Sequence, residues 1–107
     1  MSSVSSKLRE RVTIDVPEFA EDGFGGTLGG WRIHATMFAG VTPILGVARE
    51  SLFAERRNAR AGYRVTIRYR SDITEDMCIS WKNHVLYIHS RHEEGELLHL
   101  LTYEENV

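Results

Sequence analysis

The sequence predicts an all-β domain, a small antiparallel β-barrel of five to six strands, and three observations point there. In the stretch 61–70, Tyr63, Val65, Ile67 and Tyr69 fall on one side of an extended strand, and Arg64, Thr66, Arg68 and Arg70 on the other. After a polar turn from Ser71 to Met77, the run from Cys78 to His89 reads as two short strands hinged at Lys82-Asn83-His84. The same two-residue period recurs earlier, in Arg11 to Val16 and in Trp31 to Val41. A tight two-sheet sandwich would satisfy the same pattern.

Taken in order, residues 1–7 form a polar tail expected to be flexible, and the first strand runs from Arg11 to Val16 and stops at Pro17. The segment from Pro17 to Gly30 holds five of the nine glycines together with Glu18, Glu21 and Asp22, the composition of a long mobile surface loop or an extended hairpin arm. The second strand follows, with Trp31, Ile33, Ala35, Met37, Ala39 and Val41 on one face and Phe38 on the other. Pro43 ends it. From Ile44 to Arg60 the two-residue period is lost; Leu45, Ala48 and Leu52 fit one face of a short helix, against which Gly46 argues. The meander then continues to Arg91, turns through His92 to Gly95 and closes with a strand from Glu96 to Tyr103.

With 107 residues, 42% hydrophobic and 26% charged, the chain is one globular domain, small enough for a partner surface to matter to its stability. Its net charge of −2 excludes a general polyanion binder, but the charge is unevenly spread. Between Arg49 and Arg70 seven arginines face two glutamates, 7 − 2 = +5, whereas Glu93 to Val107 carries five glutamates and no Lys or Arg, −5. Such a pair of surfaces suits head-to-tail contact between identical copies, the geometry that makes rings, with Arg64, Arg68 and Arg70 meeting Glu93, Glu94, Glu96, Glu104 and Glu105. Solvated strand faces carry charge for no such reason equally often.

Chemistry finds little foothold. The single Cys78 lies in an apolar run and reads as a buried thiol, and no serine sits in a nucleophile elbow. The five histidines lack metal-ligand spacing, the adjacent carboxylate pairs lie in turns and tails, and the glycine-rich segment matches no phosphate-binding fingerprint. No catalytic residue, cofactor or metal is expected. No secretory signal or run of about 18 apolar residues is present, so the expectation is synthesis in the cytoplasm and no membrane. The arginines of the excursion between strands two and three, Arg49, Arg56, Arg57 and Arg60, could track a phosphate backbone, but the rings of Tyr63 and Tyr69 lie opposite the basic strand face, which disfavours single-strand recognition.

The order of these pieces resembles the bacteriophage head-tail adaptor proteins, also called head-closure or stopper proteins. Leu8-Arg-Glu-Arg-Val-Thr-Ile14 is similar to that family's opening Leu-Arg-x-Arg-Val/Ile-x-Ile strand, and an acidic, Gly-rich loop leads to an aromatic-initiated strand at Trp31. Thr42-Pro-Ile-Leu-Gly-Val-Ala-Arg-Glu50 is similar to its Pro-Leu-x-Gly-x-Glu connection, and Gly62 to Arg70 followed by Asp72-Ile-Thr-Glu-Asp-Met77 resembles its most recognisable block. The likeness spans Leu8 to Tyr103; Lys82-Asn83-His84 stands where the family usually has a Gly-containing turn, and Leu45-Gly46-Val47-Ala48 replaces its Ser-Gly. The resemblance implies a structural virion component of a phage, prophage or gene transfer agent, without catalysis: a six- or twelve-fold ring below the portal and adaptor, retaining double-stranded DNA and receiving the tail terminator or tube. It further implies that the excursion from Thr42 to Ala61, with its four arginines, constricts a DNA channel. The alternative from another class is a stand-alone β-barrel module binding nucleic acid through its basic strand face.

Overall fold

The computed structural model describes residues 8–21 and 26–105, with side chains at 19–21 and 26–28 excepted. The expected tail at 1–7 lies outside the described residues. The elements are β1 (Glu10–Glu21), β2 (Gly26–Pro43), α1 (Gly46–Glu55), β3 (Ala59–Arg68), β4 (Cys78–Trp81), β5 (His84–Glu94) and β6 (Leu97–Glu105). All strand pairs are antiparallel, in the order β1-β2-β3-β6-β5-β4, and β4 returns to β1 to close the sheet into a barrel.

The alternation that marked the strands decides what the barrel encloses. Val12 and Ile14 of β1, Val65 and Ile67 of β3, Ile79 of β4, Leu86 and Ile88 of β5, and Leu98 and Leu100 of β6 point inward and are buried. Ile73 and Met77 of the β3–β4 loop plug the same core, where the Arg91 guanidinium donates to the Ile73 carbonyl. Among the described residues no buried side-chain nitrogen or oxygen lacks a partner: Thr102 donates to the Tyr63 carbonyl at 2.9 Å, and Asp15 accepts from Ser80 at 2.8 Å.

Two hairpins are held by two-residue turns. Lys82 and Asn83 both have positive φ, 46° and 67°, as a turn matching the right-handed strand twist requires. At the other, Gly95 has φ 59°, and β5 runs on through Glu94, so the turn is only Gly95-Glu96 and His92, Glu93 and Glu94 belong to the strand. His92 pairs with His99 across that ladder rather than turning the chain.

The first hairpin departs further from expectation. β1 does not stop at Pro17 but continues to Glu21, and residues 17–21 pair with 26–31 of β2 as an extended hairpin arm; the expected loop residues 22–25 lie outside the described residues. β1 has lost β4 beyond Asp15, so Pro17 occupies a strand with one open edge, where proline is tolerated. The expected face of β2 also breaks. Ile14 pairs with Ala35 but Asp15 with Ile33, so His34 is an extra residue in a bulge. Because Ile14 and Asp15 point to opposite faces, so do Ala35 and Ile33: Ala39 is buried in the core, while Ile33 and Trp31 are exposed.

The excursion between β2 and β3 contains the short helix. Its buried residue is Leu52, whereas Leu45 and Val47 are exposed and Ala48 does not face the barrel. The three-residue face expected of Leu45, Ala48 and Leu52 therefore reduces to one anchor. That anchor packs on the outside of the barrel with Ile44, Ala59 and Tyr103, the outward-facing side of β6. Gly62 of β3 lies directly beneath: a Cβ there would come within 2.6 Å of Leu52 Cδ2.

Candidate nucleic-acid and subunit interface

The four arginines of the excursion end up in different settings. Ile44 donates its N–H to the Gly62 carbonyl at 3.0 Å, which starts α1 against β3, and the Arg56 N–H closes it on the Leu52 carbonyl at 2.8 Å. Arg49 is exposed on α1 with its guanidinium 4.4 Å from the centre of the Phe53 ring. Arg57, just past α1, is also exposed. Arg56 is half-buried: its Nε donates to His89 Nδ1 at 3.1 Å, and its guanidinium lies 5.0 Å from the Tyr103 ring centre. Since His89 Nδ1 accepts there, its Nε2 carries the proton that faces Glu55 at 3.4 Å. Arg60 reaches Glu104 at 3.1 Å.

The Arg60–Glu104 contact joins two residues expected to serve different surfaces. Glu104 is 8% exposed and accepts from both Arg60 and His84, the latter at 2.6 Å. Burial works to raise its carboxyl, but the hydrogen bonds from His84 and Arg60 outweigh it and hold the group below the usual glutamate range. His84 is itself fixed by stacking on Trp81, ring centres 5.4 Å apart, and Tyr63 meets Trp81 edge-on at the same separation.

β3 and β6 are neighbouring strands, with Arg64 opposite Leu101 and Arg68 opposite Leu97. The basic and acidic segments therefore lie side by side on one wall of the barrel. Arg64 and Glu94 are brought together around an open groove of about 420 Å³ with Ser90, His92, His99 and Leu101. A hydrogen bond from His99, 2.9 Å away, holds the Glu94 carboxyl below its ordinary range, and His99 also contacts Thr66 at 3.0 Å. Arg68 borders a second groove. Arg70 makes a two-pronged pair with Asp72, at 2.9 and 2.7 Å, and Asp72 also meets His34, the bulged residue of β2, at 2.6 Å. The Arg70 hydrogen bonds, then that of His34, push the Asp72 carboxyl far below its ordinary value. Glu93 faces Arg91 at 3.4 Å; the Glu96 carbonyl accepts from the Tyr69 N–H; Glu105 ends the β3–β6 ladder opposite Ala59.

Three features of this wall had no signal in the residues. The Arg60–Glu104, Arg56–His89 and His34–Asp72 contacts join positions more than thirty apart and depend on strand register. Cys78 is buried beside Asp15, and burial, with the Asp15 charge adding to it, pushes its thiol up to about 12, far from a reactive thiolate. Among the described residues no group of three or more His, Cys, Asp or Glu is placed to hold a metal ion, and no helix is long and apolar enough to cross a membrane.

Residues 5–105 match the sequence profile of a family described as phage head completion protein. Solved structures share the fold, among them these two. Protein SF1141 from Shigella flexneri 2a, a solution structure, superposes with a TM-score of 0.72 at 25% identity, covering 95% of this chain and 96% of that one. A chain from the virion of a native gene transfer agent particle superposes with a TM-score of 0.69 at 16% identity, covering 94% and 96%. No curated protein matches the sequence.

Proposed function

The chain belongs to the phage head completion protein family, structural proteins incorporated into the virion, and from that premise we propose that it closes the filled head as a ring at the DNA exit, with the α1 side turned inward. Copies assemble with six- or twelve-fold symmetry between the portal and adaptor above and the tail terminator or tube below, in a tailed phage, a prophage or a gene transfer agent. The observation that carries this is the placement of Arg49 and Arg57: both are exposed on a helical excursion outside the barrel, where they can meet phosphates without disturbing the core. Arg56 and Arg60 have partners within the chain, so they serve the shape of the excursion as well as its charge.

Particles made without the protein are expected to fill and then leak DNA or lack tails, as seen by electron microscopy and nuclease sensitivity. Particles carrying Arg49→Glu and Arg57→Glu together are expected to contain the protein at normal copy number but to hold DNA several-fold less well. Normal retention in that double variant removes the channel assignment, and fully infectious particles without the protein remove the closure role.

A further inference from the structure

We propose that the β1–β2 arm docks on a second copy of this chain, its Trp31 and Ile33 seated in the groove that Leu8, Met37, Phe38 and Arg68 form on that copy. This rests on the closure reading and names the contact that links the copies. β1 has β4 beside it only from Thr13 to Asp15, and β2 meets β3 only from Gly40 to Pro43. From Val16 onward the hairpin stands clear, about 20 Å of strand at roughly 3.3 Å per residue. That length matches the elongation of the molecule, 56 × 29 × 24 Å.

The arm is built like one half of an interface. Neither outer edge of the arm has a neighbouring strand among the described residues, and the bulge at His34 turns Trp31, 41% exposed, and Ile33, 65% exposed, toward solvent. His34 itself is tied to Asp72, and Asp72 to Arg70, so the base of the arm is braced against the β3–β4 loop. In sequence the stretch from 18 to 32 is acidic, with Glu18, Glu21 and Asp22 against Arg32, 1 − 3 = −2.

The other half lies on the same molecule. Where β2 and β3 part, an open, largely apolar groove of about 720 Å³ is lined by Leu8, Arg9, Met37, Phe38 and Arg68. Phe38 is 55% exposed there, and the Arg11 guanidinium lies 5.8 Å from its ring centre. Acidic arm and arginine-bordered groove are complementary. A chain cannot place its own arm there, because Ile33 and Phe38 lie on one continuous strand, about 16 Å apart at roughly 3.3 Å per residue, and a paired strand does not fold back on itself. The occupant is therefore another copy, and since arm and groove are different patches, each copy gives one and receives one, the arrangement that propagates around a ring.

The test is cysteine crosslinking in assembled particles. Ile33→Cys and Phe38→Cys sit at exposed positions, the pair is too far apart to bridge within one chain, since a disulfide needs Cα atoms within about 7 Å, and the buried Cys78 does not compete. Particles carrying both substitutions, oxidised and then denatured without reductant, are expected to give a ladder in steps of one 12.2 kDa chain. Each single variant should stay at the mass of one chain, and particles assembled from a mixture of the two should yield dimers and nothing longer. A double variant that remains at one chain's mass in particles that contain it and hold DNA overturns the docking and leaves closure standing. Crosslinking of either single variant to itself as efficiently as the pair also overturns it, by making the contact symmetric. Infectious particles from which the wild-type chain is absent overturn the closure reading instead.

Discussion

Leu52→Ala is expected to release α1 from the barrel while the barrel itself stays folded. The helix has little else to hold it: ten residues, no side-chain cap on its N-terminal N–H groups, no acidic residue in its first turn and no basic one in its last. A helix that short is marginal in water and survives on tertiary packing. Leu52, 3% exposed, is its one fully buried side chain, set among Ile44, Ala59 and Tyr103 on the outer wall.

Truncating a buried leucine costs about 2–5 kcal/mol. Here the loss falls on a cluster separate from the twelve-residue core inside the barrel, so it appears first as local opening. Amide exchange over Gly46–Glu55 should accelerate at least about thirty-fold, the lower end of that cost at roughly 1.4 kcal/mol per tenfold, while amides of β5 and β6 near Leu86 and Leu98 keep their protection. Equal acceleration in both regions would show that helix and barrel unfold together. Because Gly62 lies beneath Leu52 with no room for an unshifted Cβ, Gly62→Val should reproduce the effect from the strand side. In particles, a loosened α1 carries Arg49 and Arg57 with it, and retention should fall although both arginines are still present.

What could be seen in the residues, and what could not, divides along a physical line. The strand read at 61–70, which in the structure runs from Ala59 to Arg68 and leaves Tyr69 and Arg70 outside it, was legible because Val65 and Ile67 alternate with Arg64 and Arg68, and a one-residue slip would expose both hydrophobes. The Lys82-Asn83 turn was legible because the apolar runs on either side leave only that spot to reverse the chain. The fate of Trp31 and Ile33 was not, because one extra residue at His34 inverts the pattern and nothing in Ile33-His34-Ala35 marks a bulge. A second bulge, at His89 between Ile88 and Ser90, is equally silent in sequence, and it is what brings that imidazole to Arg56 and Glu55. The charges were counted correctly but not placed. Separation along the chain suggested two surfaces, whereas β6 lies beside β3 and ties Glu104 to Arg60.

That tie predicts a share of the acid sensitivity of this wall that can be read separately from the rest. Glu104 has its carboxyl held below the ordinary range in the folded protein, and so its stabilisation is fully present above the unfolded value, about 4.3, and is lost as pH falls through the lower folded value. Glu104→Gln keeps the shape but removes the charge that His84 and Arg60 address. At neutral pH the variant should be less stable by about 1.5–3 kcal/mol, the range for hydrogen bonds to a charged group. Lowering the pH from about 5 toward 3, on either side of that carboxylate value, should then narrow the gap, because protonated Glu104 and glutamine are alike in charge. Urea titrations of both proteins at pH 7 and pH 3 measure this directly. Asp72, Glu94 and Glu10 are depressed in the same direction and will lower the stability of both proteins together, so only the difference between them reports on Glu104. A gap that stays constant with pH would mean that packing around position 104, rather than its charge, holds the end of β6 against β3. Arg60→Ala should then leave stability unchanged, which would return that guanidinium to the arginines proposed to face DNA.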